Sequence, residues 1–411
     1  MQEGEIIKFY RKRAGLTQEE LGKDICTSTH VSRIERGETQ YSKEIIELFS
    51  ERLKIDIQNE LNYFNNIEKK LNSWHTSIIK QNMIEVEKAK KDIEKNYIIN
   101  FSKYAPLFQL LQARYYLLQN EFEKTKTILK DIQKKHPDLP PFEKNLKWLV
   151  WGILYGKTDN YEKSIQVLKN INKSEFGNLE YYIYLSLGYY QVNPKSIMTY
   201  VYAEKALKYF KKTYNYLRAI DAEAILLLIK GNEKSFDFQE VLESYHNLIE
   251  ASERVNALDR KILLQNNLAD LYLKRKDFEN AQILFKVTLD MVDRSSYKYV
   301  KYLYNYLESS FLGNLLQKND LLKKANEGKA IAEKLDSSLF KILFRLLIYL
   351  IEDKLDQYYI FMEKTALIYL QSVSNMVVFK TYVEKLYNNY IETKNYAKAI
   401  NLSKFILEEN I

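Results

Sequence analysis

Hydrogen-bond donors that could read a nucleic acid are concentrated between residues 28 and 36 of the chain. Arginine can donate two hydrogen bonds to guanine at once, and Arg33 lies in the segment VSRIERG (31–37). Arg33 is therefore the best candidate for a base contact, with a contact to phosphate or solvent as the alternative. Weaker candidates for DNA contact come from the same segment: Ser28, Thr29, His30 and Arg36.

A short helix is predicted to precede these donors. Thr17 and Glu20 have the spacing of a capping box, in which each side chain accepts a hydrogen bond from the backbone of the other residue. We expect the helix that starts there to bury Leu21 and Ile25.

The donors themselves are predicted to lie on a helix from about residue 28 to residue 36. Val31 and Ile34 are spaced so that both face a small core. Gly37 follows as the helix stop, because glycine readily adopts the left-handed conformation that ends a helix. With the apolar spacing in GEIIKFYRKR (4–13), this gives three short helices around one core.

The stretch resembles the Xre/Cro-type helix-turn-helix family. The resemblance rests on R-x(6)-Q-x-x-L, with Arg11, Gln18 and Leu21, and on VSRIERG (31–37). It implies that the third helix lies in the major groove and that Gln18 contacts a phosphate at the start of the second helix. It also implies that Arg11 pairs internally with Glu35.

The first 60 residues have a formal charge of −2, from ten Lys and Arg against twelve Asp and Glu, in a chain of +8. Binding to a polyanion must therefore depend on where the charges lie. Glu44, Glu47, Glu51 and Asp56 fall in a later predicted helix, which we expect to face away from DNA. Neutral donors and helix N-termini can also meet phosphate oxygens.

The turn between the second and third helices is one residue shorter than is common in the family. Only CTSTH separates Ile25 from Val31. The shortened form is similar to that of a subgroup, the peptide-pheromone regulators of Gram-positive bacteria and their phages, in which Cys26 is part of the pattern. We expect Cys26 to serve packing rather than redox chemistry.

Most of the remaining chain consists of repeats. WLVWGILY (148–155) fits the tetratricopeptide signature W-x-x-L-G-x-x-Y, with Trp151 in place of leucine. A turn followed by an aromatic residue recurs at intervals that are multiples of about 39 residues. The four copies are NEFEKT (120–125), DNYEKS (159–164), KDFENA (276–281) and KNYAKA (394–399).

The inner surface of such an array is expected to bind a ligand. Small residues serve as register markers, and they predict which polar side chains face inward. The inward candidates are Asn266, Asn267, Asp270, Arg114, Tyr189, Arg218, Asp221, Asn314 and Asn388. An asparagine amide can donate to and accept from a peptide backbone. Packing or solvent contact explains Asn266 and Asn267 equally well and explains the other candidates better.

The whole pattern predicts an all-α protein: a helix-turn-helix domain (1–60), a linker helix (61–73) and a right-handed superhelical solenoid of tetratricopeptide-like repeats (74–411). We expect about eight or nine helical hairpins in the solenoid. The combination resembles the PlcR/NprR-like branch of the peptide-pheromone regulators, in which an asparagine of an N-hydrophobic-small triplet contacts the peptide. Asn267 begins such a triplet.

The resemblance implies a homodimeric quorum-sensing transcription factor that binds a palindromic operator in double-stranded DNA and a short signalling peptide. The alternative is a repeat protein that binds a response regulator or another protein, with DNA binding secondary. An enzyme is the weakest interpretation, because no phosphate-binding loop, metal-ligand spacing or nucleophile with a histidine partner occurs.

Apolar runs such as AILLLI (224–229) are far shorter than the roughly 18 residues of a membrane span. The chain start has glutamates where a secretory signal would be basic. A single cysteine fits a reducing compartment. We therefore expect a cytoplasmic protein with no membrane association, no metal site and no cofactor.

Overall fold

The structure is a computed structural model that describes residues 2–95, 99–100, 103–232, 236–373 and 375–407. Within these ranges the regular secondary structure is helical, with no strand. The chain divides into two compact units, Met1–Val150 and Trp151–Ile411.

The first unit begins with four short helices. The second of them starts where the sequence predicts. The Thr17 hydroxyl accepts from the backbone N–H of Glu20, and the Glu20 carboxylate accepts from the backbone N–H of Thr17 at 2.6 Å. The prediction that this helix buries both Leu21 and Ile25 is half wrong: Leu21 is buried, whereas Ile25 lies beyond the helix end and is half-buried. The four helices are α1 (Gln2–Arg13), α2 (Gln18–Gly22), α3 (Ser28–Arg36) and α4 (Lys43–Leu53).

Helix α3 has the predicted bounds, core and stop. Val31 and Ile34 are fully buried. Gly37 ends the helix in the left-handed conformation, with φ of 69°. Its backbone N–H donates to the carbonyl oxygens of Arg33 and Ile34. At Gly4, helix α1 approaches α3 so closely that a Cβ atom would lie 2.1 Å from the carbonyl oxygen of Ile34.

The rest of the described chain forms successive helical hairpins, nine within the described ranges. One helix of the eighth hairpin contains a π-helical segment, π1 (Met362–Ala366), between α20 and α21. The helices are α5 (Ile57–Lys80), α6 (Met83–Glu94), α7 (Ala105–Leu118), α8 (Phe122–Lys135), α9 (Pro141–Lys157), α10 (Tyr161–Leu168), α11 (Tyr181–Val192), α12 (Ile197–Lys212), α13 (Tyr216–Asn232), α14 (Phe238–Arg254), α15 (Leu258–Lys274), α16 (Phe278–Asp290), α17 (Tyr297–Leu312), α18 (Lys318–Lys334), α19 (Ser338–Ile351), α20 (Leu355–Phe361), α21 (Leu367–Ser372), α22 (Met376–Glu392) and α23 (Tyr396–Leu407).

The turns inside the hairpins follow one local rule. Two residues before each predicted aromatic, a non-glycine residue adopts a left-handed conformation: Asn120, Asp159, Lys276 and Lys394, with φ of 59°, 59°, 63° and 58°. The four predicted turns are confirmed, because a helix starts at each of the aromatics Phe122, Tyr161, Phe278 and Tyr396. The left-handed residue lets the following N–H groups bond to the last carbonyls of the preceding helix.

Small residues permit the two helices of a hairpin to pack closely. A Cβ atom at Gly152 would lie 2.3 Å from Leu168 of the partner helix. Beside it, the Ser164 hydroxyl donates to the carbonyl oxygen of Gly152 at 2.7 Å. The tryptophan-rich segment of α9 is thus explained by hairpin packing.

In the second unit, the first helices of successive hairpins lie side by side. Helices α11, α13, α15, α17 and α19 contact one another in this order, and α22 contacts α11. The unit therefore curls around an inner space. Among the described residues, no helix has the length and apolar content that crossing a membrane requires.

Candidate DNA-binding surface and inner cavity

The outward face of α3 presents polar side chains to solvent. Ser28, Thr29, Arg33 and Arg36 are exposed, and His30 is half-buried. Arg36 forms an exposed ion pair with Glu38, with 2.8 Å between Nε and Oε1. This face can therefore offer hydroxyl, imidazole and guanidinium donors to base edges and phosphates.

A buried ion pair supports α3 from behind. Arg11 Nε and Nη2 donate to the Glu35 carboxylate at 2.5 and 3.0 Å, and Arg11 Nη1 donates to the Leu16 carbonyl at 2.7 Å. Gln18 Nε2 also donates to Glu35, at 2.8 Å. One amide hydrogen of Gln18 is thus used inside the domain, which leaves the other for the expected phosphate contact.

Four acidic residues of this unit lie together away from α3. Glu3, Glu47, Glu51 and Asp56 line one groove, and no lining residue of that groove comes from α2 or α3. The face of α3 is therefore less acidic than the net charge of the segment suggests.

The second unit contains a partly open cavity of about 460 Å³. Helices α11, α13, α14, α15, α17, α19 and α22 line it, together with the turn before α10. Helix α17 contributes a stripe along its length: Tyr297, Lys301, Tyr304, Asn305 and Glu308. Its residues recur every three or four positions, so they share one helix face.

The cavity lining contains equal numbers of carboxyl groups and lysines. The six residues are Asp159, Asp270, Glu308, Lys274, Lys301 and Lys385. Burial raises the pKa of each of the three carboxyl groups. Charges that lose water in this way favour a ligand that brings complementary charge or hydrogen bonds.

Asparagines on α15 and α17 form a ladder along one wall. Asn267 and Asp270 line the cavity as predicted for inward residues. Asn266 is fully buried instead, and its amide donates to Asp270 at 3.4 Å. Asn305 donates to Asn266 at 3.4 Å and to Asp270 at 3.5 Å. Asn305 was missed by the sequence analysis, although it follows Asn266 by one repeat of 39 residues.

Arg218 and Asp221 belong to a buried ion network rather than to the cavity lining. Arg218 pairs with the fully buried Glu180 and, at 3.1 Å, with Asp221. Asp221 also accepts from Arg260 Nε at 3.1 Å. Each charge of this network has a partner of opposite charge within the protein. The network links the start of α11 to α13 and α15.

Four other inward candidates are placed elsewhere. Tyr189 packs against Tyr202, with ring centroids 5.8 Å apart, and its neighbour Tyr190 lines the cavity. Asn314 lies in the turn after α17, because Gly313 caps that helix instead of marking its middle. Asn388 is exposed on α22 outside the cavity lining, and Arg114 is buried in the first unit.

Asp159, Tyr297, Lys301 and Glu308 also line the cavity, although no sequence motif predicted them. Their signal was weak, since lysine, tyrosine and glutamate occur on every helix face of this chain. Within the described ranges, no group of three His, Cys, Asp or Glu side chains could hold a metal ion.

Comparison with known proteins finds matches to the helix-turn-helix and to the helical repeats. Residues 7–58 match the Helix-turn-helix family. Over 309 residues the chain is 23% identical to response regulator aspartate phosphatase I of Bacillus subtilis (strain 168), covering 68% of this chain and 75% of that protein.

Two solved structures share the fold at 15% sequence identity. A Rap protein complexed with Competence and Sporulation Factor matches with a TM-score of 0.70 over 84% of this chain and 99% of that one. NprR in complex with its cognate peptide NprX matches with a TM-score of 0.67 over 82% and 99%.

The family match covers the helix-turn-helix, and the two solved structures share the helical-repeat fold. The predicted helix-turn-helix is confirmed by the family match. The all-helical fold class is confirmed as well.

Proposed function

We propose that this protein is a DNA-binding transcriptional regulator controlled by a short peptide in the inner cavity of its repeats. The observation that carries the proposal is the cavity itself, a space of about 460 Å³ lined by three carboxyl groups and three lysines, in the same chain as a helix-turn-helix. A peptide-bound NprR structure and a Rap protein complexed with Competence and Sporulation Factor share the fold of the repeats.

The DNA contact is assigned to α3. Arg33 reads a guanine, and Ser28, Thr29, His30 and Arg36 contact bases or phosphates beside it. Gln18 donates to a phosphate with the amide hydrogen that Glu35 does not use. Arg11 and Glu35 keep α3 in position.

The peptide contact is assigned to the wall formed by α15 and α17. Asn267, Asn305 and Asp270 can hydrogen-bond a peptide backbone. From Tyr297 to Glu308, α17 rises about 16 Å, which matches roughly five extended residues. Asn266 is buried behind this wall, and its hydrogen bonds with Asp270 and Asn305 hold those two side chains in position.

We further propose that the regulator acts as a homodimer on a palindromic operator. One small helix-turn-helix makes few contacts, whereas two can occupy half-sites about 34 to 36 Å apart. Peptide that spans several hairpins would favour one curvature of the repeats, and the DNA affinity of the dimer would follow.

The test is selection of random duplex DNA by the full chain, with and without a pool of random hexapeptides. We expect enrichment of a roughly palindromic site that Arg33→Ala no longer selects, and a change of enrichment when the pool is added. If neither condition enriches a site, the proposal is wrong.

A second candidate is favoured by the 23% identity to a response regulator aspartate phosphatase. In this reading the protein binds a response regulator, and DNA binding is secondary. We assign no catalytic residue. The two candidate functions are distinguished by using the full chain and its Arg33→Ala variant to capture response regulators of the source cell. Stoichiometric capture by both proteins, without DNA selection, would favour the second candidate.

A further inference from the structure

One carboxylate in the cavity wall is set among aromatic rings. Asp159 lies in the left-handed turn before α10 and faces the cavity. Its Oδ1 accepts from the Tyr161 hydroxyl at 2.7 Å, and its Oδ2 accepts from the Tyr297 hydroxyl at 3.5 Å. Phe340 packs against the Tyr297 ring at 5.3 Å, and all four residues line the cavity.

These contacts hold the carboxylate in one position, and the surrounding protein reduces its solvation. Burial raises the pKa of Asp159, while the two phenol hydroxyls and the charge of Lys301 act in the opposite direction. Each carboxylate oxygen has a second lone pair. A cation brought by a ligand would restore the lost solvation and could also lie on the neighbouring ring faces.

The geometry favours one kind of cation. A guanidinium group is planar and weakly hydrated, donates in a fork that matches a carboxylate, and stacks on aromatic rings. An ammonium group is compact and strongly hydrated, so it loses more on entering an aromatic site. The mixture of one carboxylate and three rings therefore suits arginine best.

We propose that Asp159, Tyr161, Tyr297 and Phe340 form a subsite that binds an arginine side chain of the peptide. The subsite rests on the proposed function and adds a sequence requirement to it. The competing explanation is that Asp159 only ties the turn before α10 to α17, in which case ligand charge would not matter.

The test compares two pools of acetylated hexapeptides with the full chain. In one pool each peptide carries a single arginine at a varied position, and in the other citrulline replaces it; the remaining positions exclude Arg and Lys. Citrulline has nearly the same shape but no charge. Retention is measured by equilibrium dialysis and mass spectrometry.

We expect wild type to retain the arginine pool about tenfold more than the citrulline pool. Asp159→Asn should bring the ratio of the two retentions close to one. Tyr161→Phe, which keeps the ring but removes one hydroxyl, should give an intermediate ratio. Asp259→Asn is the matched control, because Asp259 pairs with Lys298 at 2.7 Å and lies outside the cavity lining.

Equal retention of the two pools by wild type would overturn the subsite while leaving peptide binding intact, and this comparison needs no variant. An unchanged ratio in Asp159→Asn would overturn it as well. If wild type retained neither pool, the peptide proposal would fail and the subsite with it.

Discussion

Each unit of the protein contains a buried arginine–glutamate pair, and the two pairs differ in what the sequence reveals about them. Arg11 and Glu35 lie in the helix-turn-helix, where the family resemblance already implies the pair. Arg218 and Glu180 lie on neighbouring repeats, and Arg218 was expected to face a ligand. A local motif fixes its partners over short distances, whereas in the repeats the partner depends on how one hairpin is rotated against the next.

The largest effect is expected from breaking the pair in the repeats. Arg218→Ala leaves Glu180, which is fully buried, and Asp221 without their shared partner. We expect the free energy of unfolding of the full chain, measured in urea, to fall by about 3–5 kcal/mol. Adding Glu180→Gln to the variant should recover part of the loss. A loss below about 1 kcal/mol would show that the network is not structural.

Breaking the pair in the helix-turn-helix should cost less. Glu35→Ala removes the carboxylate partner of the Arg11 guanidinium, which keeps its hydrogen bond to the Leu16 carbonyl. We expect a loss of about 3 kcal/mol, together with loss of DNA binding because α3 is no longer held. Arg36→Ala, which breaks the exposed pair with Glu38, is the matched control and should cost under about 1 kcal/mol. Equal losses would contradict the contrast between buried and exposed pairs.

The exposed face of α3 should affect binding and not stability. Arg33→Ala is expected to weaken operator binding by about 1–3 kcal/mol and to relax the preference at one base pair. Competition with operators mutated at each position measures both quantities. Uniform weakening on all sequences would instead identify Arg33 as a phosphate contact.

The smallest effect concerns pH and the cavity wall. Glu308 is half-buried beside Asp270, Tyr304 and Lys385, and desolvation raises its pKa above the ordinary 4.5. The folded state therefore keeps a proton that the unfolded state has lost, so stability should fall as pH rises above about 4.5. Glu308→Gln should weaken that decline in urea unfolding curves, whereas Glu333→Gln, on the exposed side of α18, should leave it unchanged.

The same contrast explains how far the sequence could be interpreted. The bounds of α3 follow from Val31, Ile34 and Gly37, all within a few residues of one another. The hairpin turns follow from an aromatic after a left-handed residue, which is also a local signal. Local rules of this kind predict where helices start and stop.

The inner wall depends on more distant packing. Asn267 and Asp270 were placed correctly, because α15 keeps the repeat register around Ala269. Tyr189 was off by one position, and Asn314 was assigned from a glycine that caps α17. Asp159 reaches the cavity only because the unit curls until its turn meets α17, 138 residues away. Such a contact has no signature in a single repeat.

The central claim is that occupation of the cavity changes DNA binding. The most direct measurement is the operator Kd of the full chain with and without the random hexapeptide pool, for wild type, Asn267→Ala and Asn388→Ala. We predict that the pool shifts the Kd of wild type and Asn388→Ala but not that of Asn267→Ala, while all three bind DNA equally without it. An unchanged wild-type Kd, or the same shift in all three proteins, would contradict the claim.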